Sequence, residues 1–406
     1  MNLIYRVIKL IEYLLDLISF MYFFFILLLF VIVYNIFLIF VRDRTYLKAY
    51  KRFKDNLEIT IDDLIDIPLV NIIIPAWKEG KYLNNCLLSI TELSYPKIKA
   101  IVNAGGDSET IEIAESFKKY NNFKILRQME GKSRAAFGKI KALNECIDYV
   151  SEGLIYFIDA DCYVTDDILL RIIFPIVNEN ENVVINTYRP LKSQENSSFI
   201  KYLQLSRIGA FRGKVKRYTS VMVSGSNTCM TYKVLKAIGK FSENRLISED
   251  CSRGYDIISK NFKIYCLFDY RSRMYSAYPD SLKEYFKQRK RYIENSLLLS
   301  HKKRNIKYFV KFFVMILVSI YLLITPFLLV LHFGLFLLGI IIFIYIYLIK
   351  IRKYLFFNKM VANEYQIRVR TIFFVKIIFY IYFEILVNVF TFFNLLSFVK
   401  KLKKMN

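Results

Sequence analysis

The stretch Leu154-Ile155-Tyr156-Phe157-Ile158-Asp159-Ala160-Asp161 decides how the middle of this chain folds. Its apolar run reads as a strand buried on both faces, and the acids mark where that strand stops. Alternation along a strand puts Asp159 and Asp161 on the same side. Outward from it, apolar runs recur at Val70 to Pro75, Ile98 to Asn103 and Phe123 to Leu126, separated by helical patterns over Tyr82 to Leu93, Thr110 to Tyr120 and Ala135 to Val150. Strands alternating with helices of that length predict right-handed βαβ units, hence an α/β domain with a mainly parallel sheet. Ligands in such folds gather at the carboxyl ends of the strands. There is no Walker loop, and Gly105-Gly106 lacks the spacing of a dinucleotide fingerprint.

Three groups of residues carry the chemistry. Asp159 and Asp161 form a D-x-D at a strand end, and a hard divalent ion takes one or two such carboxylates together with substrate phosphates. Glu249-Asp250 precedes a helical pattern over Cys251 to Ile258 with Ser248 as a candidate N-cap. This pair either complements the helix dipole or supplies a general base, since attack by a sugar hydroxyl requires proton removal at a positioned oxygen. Gln288-Arg289-Lys290-Arg291-Tyr292 lies in the amphipathic run Leu282 to Leu299. Its cations, amide and ring suit a departing diphosphate and a sugar, while Lys283, Lys287, Arg289 and Lys290 equally suit an anionic lipid surface.

Composition points to a membrane. Hydrophobic residues make up 55% of 406 positions, a surplus that a globular core does not absorb. The run from about Leu17 to Phe40 carries no charge after Asp16 and is long enough to span a bilayer as a helix. It has no small-residue cleavage site, so a removable signal is not expected. Asn2, Arg6, Lys9, Glu12, Asp16 and Ser19 fall on one helical face ahead of it, as an interfacial helix requires. A second apolar block, about Phe312 to Ile349, is broken near Pro326 and again at His332 to Gly334, which fits two helices. A third, Thr371 to Val399, contains Lys376 and Glu384 and either spans, lies in the interface or packs on other helices. Arg42, Arg44, Lys48, Lys51, Arg52 and Lys54 after the first span, and Lys302, Lys303, Arg304 and Lys307 before the second, place both flanks and the domain between them in the cytosol. The net charge of +24 asks for an anionic partner, and with this hydropathy nucleic acid is excluded in favour of phospholipid or a phosphorylated substrate. Six scattered cysteines without a C-x-x-C pair and only two histidines exclude a zinc site or disulfide framework.

Taken in order, these pieces resemble the membrane-embedded family 2 glycosyltransferases, the group of cellulose, chitin and hyaluronan synthases and ceramide glucosyltransferase. The likeness runs from about Val70 to Leu299. Val70-Asn-Ile-Ile-Ile-Pro75-Ala76-Trp-Lys-Glu79 looks like the opening strand and its nucleotide-contacting turn. Gly131-Lys132-Ser-Arg-Ala135 is similar to the G-K-x-x-A segment lining the donor site, and Ser224-Gly-Ser-Asn227 to the loop near donor and acceptor sugars. Ser248-Glu249-Asp250 resembles T-E-D, whose last residue is the catalytic base, and Gln288-Arg-Lys-Arg291-Tyr292 resembles Q-x-x-R-W. Asn103 stands where the family has the first carboxylate of its D-D-G motif, with Asp107 following, and Tyr292 replaces Trp.

The resemblance implies a GT-A fold and an inverting transfer. Asp250 removes a proton from the acceptor, Asp161 aided by Asp159 holds Mg2+ or Mn2+, and Lys132 and Arg291 assist at the diphosphate. The nucleotide and sugar then lie among Pro75, Ala76, Glu79, Asn103, Asp107, Lys132, Asp159, Ala160, Asp161, Glu249, Gln288, Arg291 and Tyr292. The expected organisation is an interfacial helix and span over 1–55, a cytosolic GT-A domain over 56–280, an amphipathic interface helix over 281–307, and transmembrane or interfacial helices over 308–406. The expected partners are a UDP-sugar donor, a polysaccharide or lipid-linked acceptor and the cell membrane bilayer. Polysaccharide synthesis and a single addition to a lipid are both open. With about four spans at most, a wide channel would need a homo-oligomer. A third possibility is a catalytically silent scaffold that binds sugar nucleotide, against which the retained acids argue.

Overall fold

The computed structural model describes residues 58–128, 135–204, 218–219, 223, 225–241, 249–267, 271–302 and 372–393, with scattered positions between 9 and 44 and between 310 and 348. The strands β1 (Val70–Trp77), β2 (Ile98–Gly105), β3 (Phe123–Arg127) and β4 (Leu154–Phe157) form its parallel half. They stand in the order β3-β2-β1-β4, so the chain builds outward from β1 and then returns to pair on its other edge. That reversal leaves a crevice at the carboxyl ends of β1 and β4, the place where open α/β sheets bind ligands.

The sheet continues from β4 through β9 (Thr228–Thr231), β6 (Val183–Ile185), β10 (Ile264–Cys266) and β8 (Tyr218–Thr219). Here β9 runs antiparallel to both its neighbours. A separate sheet, β5 (Cys162–Tyr163), β11 (Met274–Ser276) and β7 (Tyr188–Pro190), stands beside it.

Strand alternation divides the core into two layers. Ile73, Ile101, Ile155 and Phe157 face one way, against Leu143 and Cys146 of α3 (Ala135–Ile147). Ile72, Ile74, Val102 and Tyr156 face the other, against Leu83 and Leu87 of α1 (Gly80–Thr91). Burial on both faces explains why β1 and β2 read as unbroken apolar runs. Both strands run two residues beyond the sequence expectation, because the ladder continues through Ala76↔Ala104 and Trp77↔Gly105. The helix expected over Thr110 to Tyr120 is α2 (Ser108–Ser116) followed by a 3-10 turn at Phe117–Lys119. The remaining helices are α4 (Asp166–Asn178), α5 (Tyr232–Ile238), α6 (Glu249–Ser259), α7 (Leu282–Lys302) and α8 (Ile372–Phe393).

The helix α8 docks on the α/β domain through rings. Tyr380 lies 5.0 Å from Tyr202 and 5.6 Å from Phe199, Phe383 lies 6.0 Å from Tyr285 of α7, and Ser198 Oγ is 2.8 Å from the Tyr380 hydroxyl. Its other face exposes Phe379, Leu386 and Phe390. Among the described residues no helix is long and apolar enough to cross a membrane. The stretches expected to span at Leu17 to Phe40 and Phe312 to Ile349 lie largely outside the described residues, as does the flank Arg42 to Lys54 apart from Arg44.

Candidate active site

Each acid enters the crevice on a different element. The strand β4 ends at Phe157, and a turn closed by Cys162 N donating to Asp159 O at 3.0 Å follows at once. Strand alternation therefore does not extend through the D-x-D. Asp159 turns toward α3, whereas Asp161 lines a cleft between α1 and the small sheet. Buried Ala160 sits between them. The turn is pinned from below: Asp159 N donates to Ser226 Oγ at 3.0 Å, and the Tyr156 hydroxyl donates to Asn227 Oδ1 at 2.9 Å. Asn227 adopts φ 57°, a left-handed conformation that Asn tolerates better than most residues.

The residue at the centre is one that sequence reasoning missed. Lys139, projecting from α3, places Nζ 2.8 Å from Asp159 Oδ1 and 3.0 Å from Glu249 Oε1. It belongs to Gly138-Lys139-Ile140-Lys141-Ala142, a second copy of the G-K-x-x-A pattern seven residues after the one at Gly131. The repeat was the available signal. Lys132 lies outside the described residues, and so do Ser224 and Ser248.

One cation thus ties the D-x-D to the Glu249-Asp250 pair at the start of α6. Burial opposes the charge on Lys139, but Asp159, Glu249 and Asp250 together overcome that cost and raise its pKa well above the usual value. Burial also opposes ionisation of Glu249, yet Lys139, with help from Arg291, holds it below the ordinary range. Asp250 is pushed up to about 7, first by burial and then by Glu249, against the pull of Lys139 and Arg291. Asp161 is pushed up to about 6 by burial and by Asp159. Glu79, in the turn after β1, reaches about 7 through burial, Asp161 and Asp159.

Geometry fixes Asp250 as closely as charge does. A Cβ placed on Gly225 would lie 2.6 Å from both carboxylate oxygens of Asp250, so only glycine leaves room for that carboxylate. The helices α3 and α6 are held to each other through the segment 239–241. Asn144 of α3 donates Nδ2 to Phe241 O at 3.0 Å and accepts from Phe241 N at 2.7 Å. Arg253 of α6 donates Nη1 to Gly239 O at 2.7 Å, and its guanidinium lies 4.1 Å from the Phe241 ring centroid.

Other expected site residues have local partners. Asp107 accepts from Thr110 N at 2.9 Å as the N-cap of α2. Asn103 is wholly buried, and its Nδ2 donates to Glu145 Oε2 of α3 at 2.6 Å. Pro75 and Ala76 are interior to β1, with the Ala76 side chain in the core layer beneath α1. From α7, Arg291 reaches the acids electrostatically, with its guanidinium 5.8 Å from the Tyr292 ring. Gln288 is half-buried and Tyr292 exposed.

The donor set suits a hard cation. Asp159 and Asp161 offer carboxylate oxygens, and their mutual repulsion in a half-buried site is what a divalent ion relieves. Lys139 already occupies one oxygen of Asp159, and no group of three His, Cys, Asp or Glu converges among the described residues. Protein ligands would therefore be at most these two carboxylates, centred on Asp161, with phosphate oxygens completing the shell.

Acids at the switch point of a mostly parallel sheet, facing a half-buried lysine and a second acid pair, define an α/β domain of GT-A-like fold. The chain belongs to glycosyltransferase family 2: the model described as "Glycosyltransferase like family 2" matches residues 68–295. Poly-beta-1,6-N-acetyl-D-glucosamine synthase of Staphylococcus epidermidis is 26% identical over 237 residues, covering 55% of this chain and 54% of that one. Glycosyltransferase AglE of Haloferax volcanii is 34% identical over 100 residues, 24% of this chain and 31% of that one. The chain thus spans about half the length, or less, of these curated relatives. Among solved structures, the mannosyltransferase PcManGT of Pyrobaculum calidifontis, in complex with GDP-Man and Mn2+, superposes with a TM-score of 0.44 at 16% identity, covering 63% of this chain and 72% of that one. S. aureus TarS 1-349 in complex with UDP-GlcNAc gives 0.39 at 16% identity, covering 57% and 66%.

Proposed function

We propose that this protein transfers a sugar, with inversion, from a UDP-sugar to a growing polysaccharide at the inner face of the cell membrane. The observation that carries the reading is Lys139 bridging Asp159 and Glu249, which makes the D-x-D and the E-D pair two walls of one site. Asp250 accepts the proton of the attacking hydroxyl, and its pKa near 7 suits a general base working at neutral pH. Lys139 and Arg291 face the charge that grows on the leaving diphosphate, where stabilisation confined to the transition state lowers the barrier. Mg2+ or Mn2+, held by Asp161 with Asp159, would supply further neutralisation of the diphosphate.

The polymer reading takes support from the name of the staphylococcal relative, a poly-N-acetylglucosamine synthase. UDP-N-acetylglucosamine is accordingly the first donor to try. A multi-pass arrangement with this domain in the cytosol rests on the apolar stretches, on their basic flanks and on the exposed apolar face of α8. The test is the full chain in lipid nanodiscs with Mn2+ or Mg2+ and a panel of UDP-sugars, with mass analysis of lipid and polymer fractions. Long saccharide chains support the proposal. A glycolipid carrying one added sugar replaces it with single addition, and nucleotide release without transfer to either fraction overturns both.

A further inference from the structure

The backbone of the D-x-D turn is pinned at several points. Asp161 O accepts from Ala277 N at 3.2 Å, and Asp159 O accepts from Cys162 N at 3.0 Å and from Cys86 Sγ of α1 at 3.7 Å. Asp159 N donates to Ser226 Oγ at 3.0 Å, and Ser226 N donates in turn to the Tyr188 hydroxyl at 3.2 Å. What such a turn leaves free is rotation of the two carboxylates. Lys139 stops that rotation at Asp159. At Asp161 the neighbour is a thiol: Cys162 Sγ lies 3.6 Å from Oδ1 and 3.3 Å from Ser226 Oγ.

We infer that Cys162 is a positioning residue for the cation and diphosphate site, its S–H holding Asp161 Oδ1 so that this carboxylate is set in one orientation for a divalent ion. The inference deepens the proposed function, because it rests on Asp161 as the main protein ligand of that ion.

The direction of the bonds follows by elimination. Among the described residues Ser226 Oγ meets Asp159 N and Cys162 Sγ, while Cys162 Sγ meets Ser226 Oγ and Asp161 Oδ1. Both side chains are buried, where a polar group without a partner is costly. If the thiol gave its proton to Ser226, the serine hydroxyl would have no acceptor. Ser226 therefore donates to sulfur, and the one proton on sulfur goes to Asp161. The result is a single chain, from Asp159 N–H through Ser226 O–H and Cys162 S–H to the Asp161 carboxylate, in which each bond polarises the next.

The choice of donor has a chemical consequence. The ammonium of Lys139 neutralises the carboxylate it holds, whereas a neutral thiol orients Asp161 and leaves its charge available to a cation. Groups that aim a metal ligand in this way set affinity without touching the metal. The chain also runs through Ser226, the residue after Gly225, so one short loop both makes room for Asp250 and steadies the D-x-D.

Mn2+ affinity is read without turnover, from the electron paramagnetic resonance of the free ion, on the full chain in nanodiscs with UDP present. Cys162→Ala should weaken Mn2+ binding by about tenfold, the low end of the loss for a group that orients a metal ligand. Cys162→Ser keeps both a donor and an acceptor and should recover most of that loss. UDP affinity in EDTA should be the same in all three proteins. Ser226→Ala cuts the chain one link further back and should weaken Mn2+ less than Cys162→Ala does. Wild-type Mn2+ affinity in Cys162→Ala, a Cys162→Ser variant as weak as Cys162→Ala, a matching loss of UDP in EDTA, or no Mn2+ bound by the wild type would each overturn the inference. Should Cys162→Ala fail to fold, Ser226→Ala decides, and unchanged Mn2+ affinity there overturns it. A chain whose Mn2+ affinity follows Cys162 yet transfers no sugar would refute the proposed activity and leave the positioning role standing. Sugar transfer with a Mn2+ affinity indifferent to Cys162 would do the reverse.

Discussion

At Asp250 a proton is retained up to about pH 7 because the carboxylate is buried beside the negative charge of Glu249. If Asp250 is the base, its ionised form is the active one, so kcat/KM should rise with pH through that region. Glu249→Gln removes the charge that raises the pKa, and the acid limb should move to lower pH; a limb that stays put or moves up contradicts the assignment. Asp250→Asn should retain UDP affinity in a binding titration while transfer falls below detection, and near-normal turnover would remove Asp250 from the mechanism. Gly225→Ala tests the geometry alone. Its new methyl meets only the far end of the Asp250 side chain, so the carboxylate swings away. Thermal stability should change little and kcat should drop by roughly 10²–10³, a loss comparable to removing one transition-state contact.

Between elements, the distance from α3 to α6 sets whether Lys139 can serve both acid pairs. Asn144 holds that distance through two bonds to the backbone of Phe241. In Asn144→Ala each buried group left unpaired costs about 1–3 kcal/mol. The expected result is a lower melting temperature and a kcat that falls more than UDP affinity; a destabilised enzyme with unchanged kcat would show that the α3–α6 spacing is not critical. This level is also where the sequence stops being readable. The strands β1 to β4 were legible because burial on both faces writes continuous apolar runs, and Asp159, Asp161, Glu249 and Asp250 because acids stand out at element ends. Lys139 was not, since G-K-x-x-A occurs twice and only the helical register of α3 aims its lysine at the acids. Nor was the small sheet, whose strands of two and three residues are too short to leave a periodic pattern. Asp107 and Asn103 read as site residues by position, while their bonds to Thr110 and Glu145 depend on tertiary packing.

Over the whole molecule, a chain with 59 basic and 35 acidic residues gathers several of its acids in one half-buried crevice, which ties stability to pH. Burial raises Glu79 and Asp250 to about 7 and Asp161 to about 6, from ordinary values of 4.5 for Glu and 3.8 for Asp. For these groups the folded state binds protons more tightly than the unfolded one. Their contribution is therefore complete below the unfolded values and is lost as pH rises through the folded ones. Glu249 runs the other way: its lowered pKa contributes above its unfolded value and is lost on acidification. Within the crevice three raised carboxyls outweigh one lowered; elsewhere among the described residues burial raises Glu195 in the same sense, while the lowered Asp63, Asp107 and Glu115 lose their contribution only on acidification below that window. The melting temperature of the full chain in EDTA at fixed ionic strength should thus fall from about pH 5 to about pH 8. Asp250→Asn should flatten the profile. Because a divalent ion binds ionised carboxylates, Mn2+ should raise the melting temperature more at the alkaline end than at the acid end. A wild-type profile that climbs toward pH 8 in EDTA would mean that these acids are already compensated by solvent or by basic groups. The crevice would then lack the stored repulsion on which both cation binding and a neutral-pH base depend.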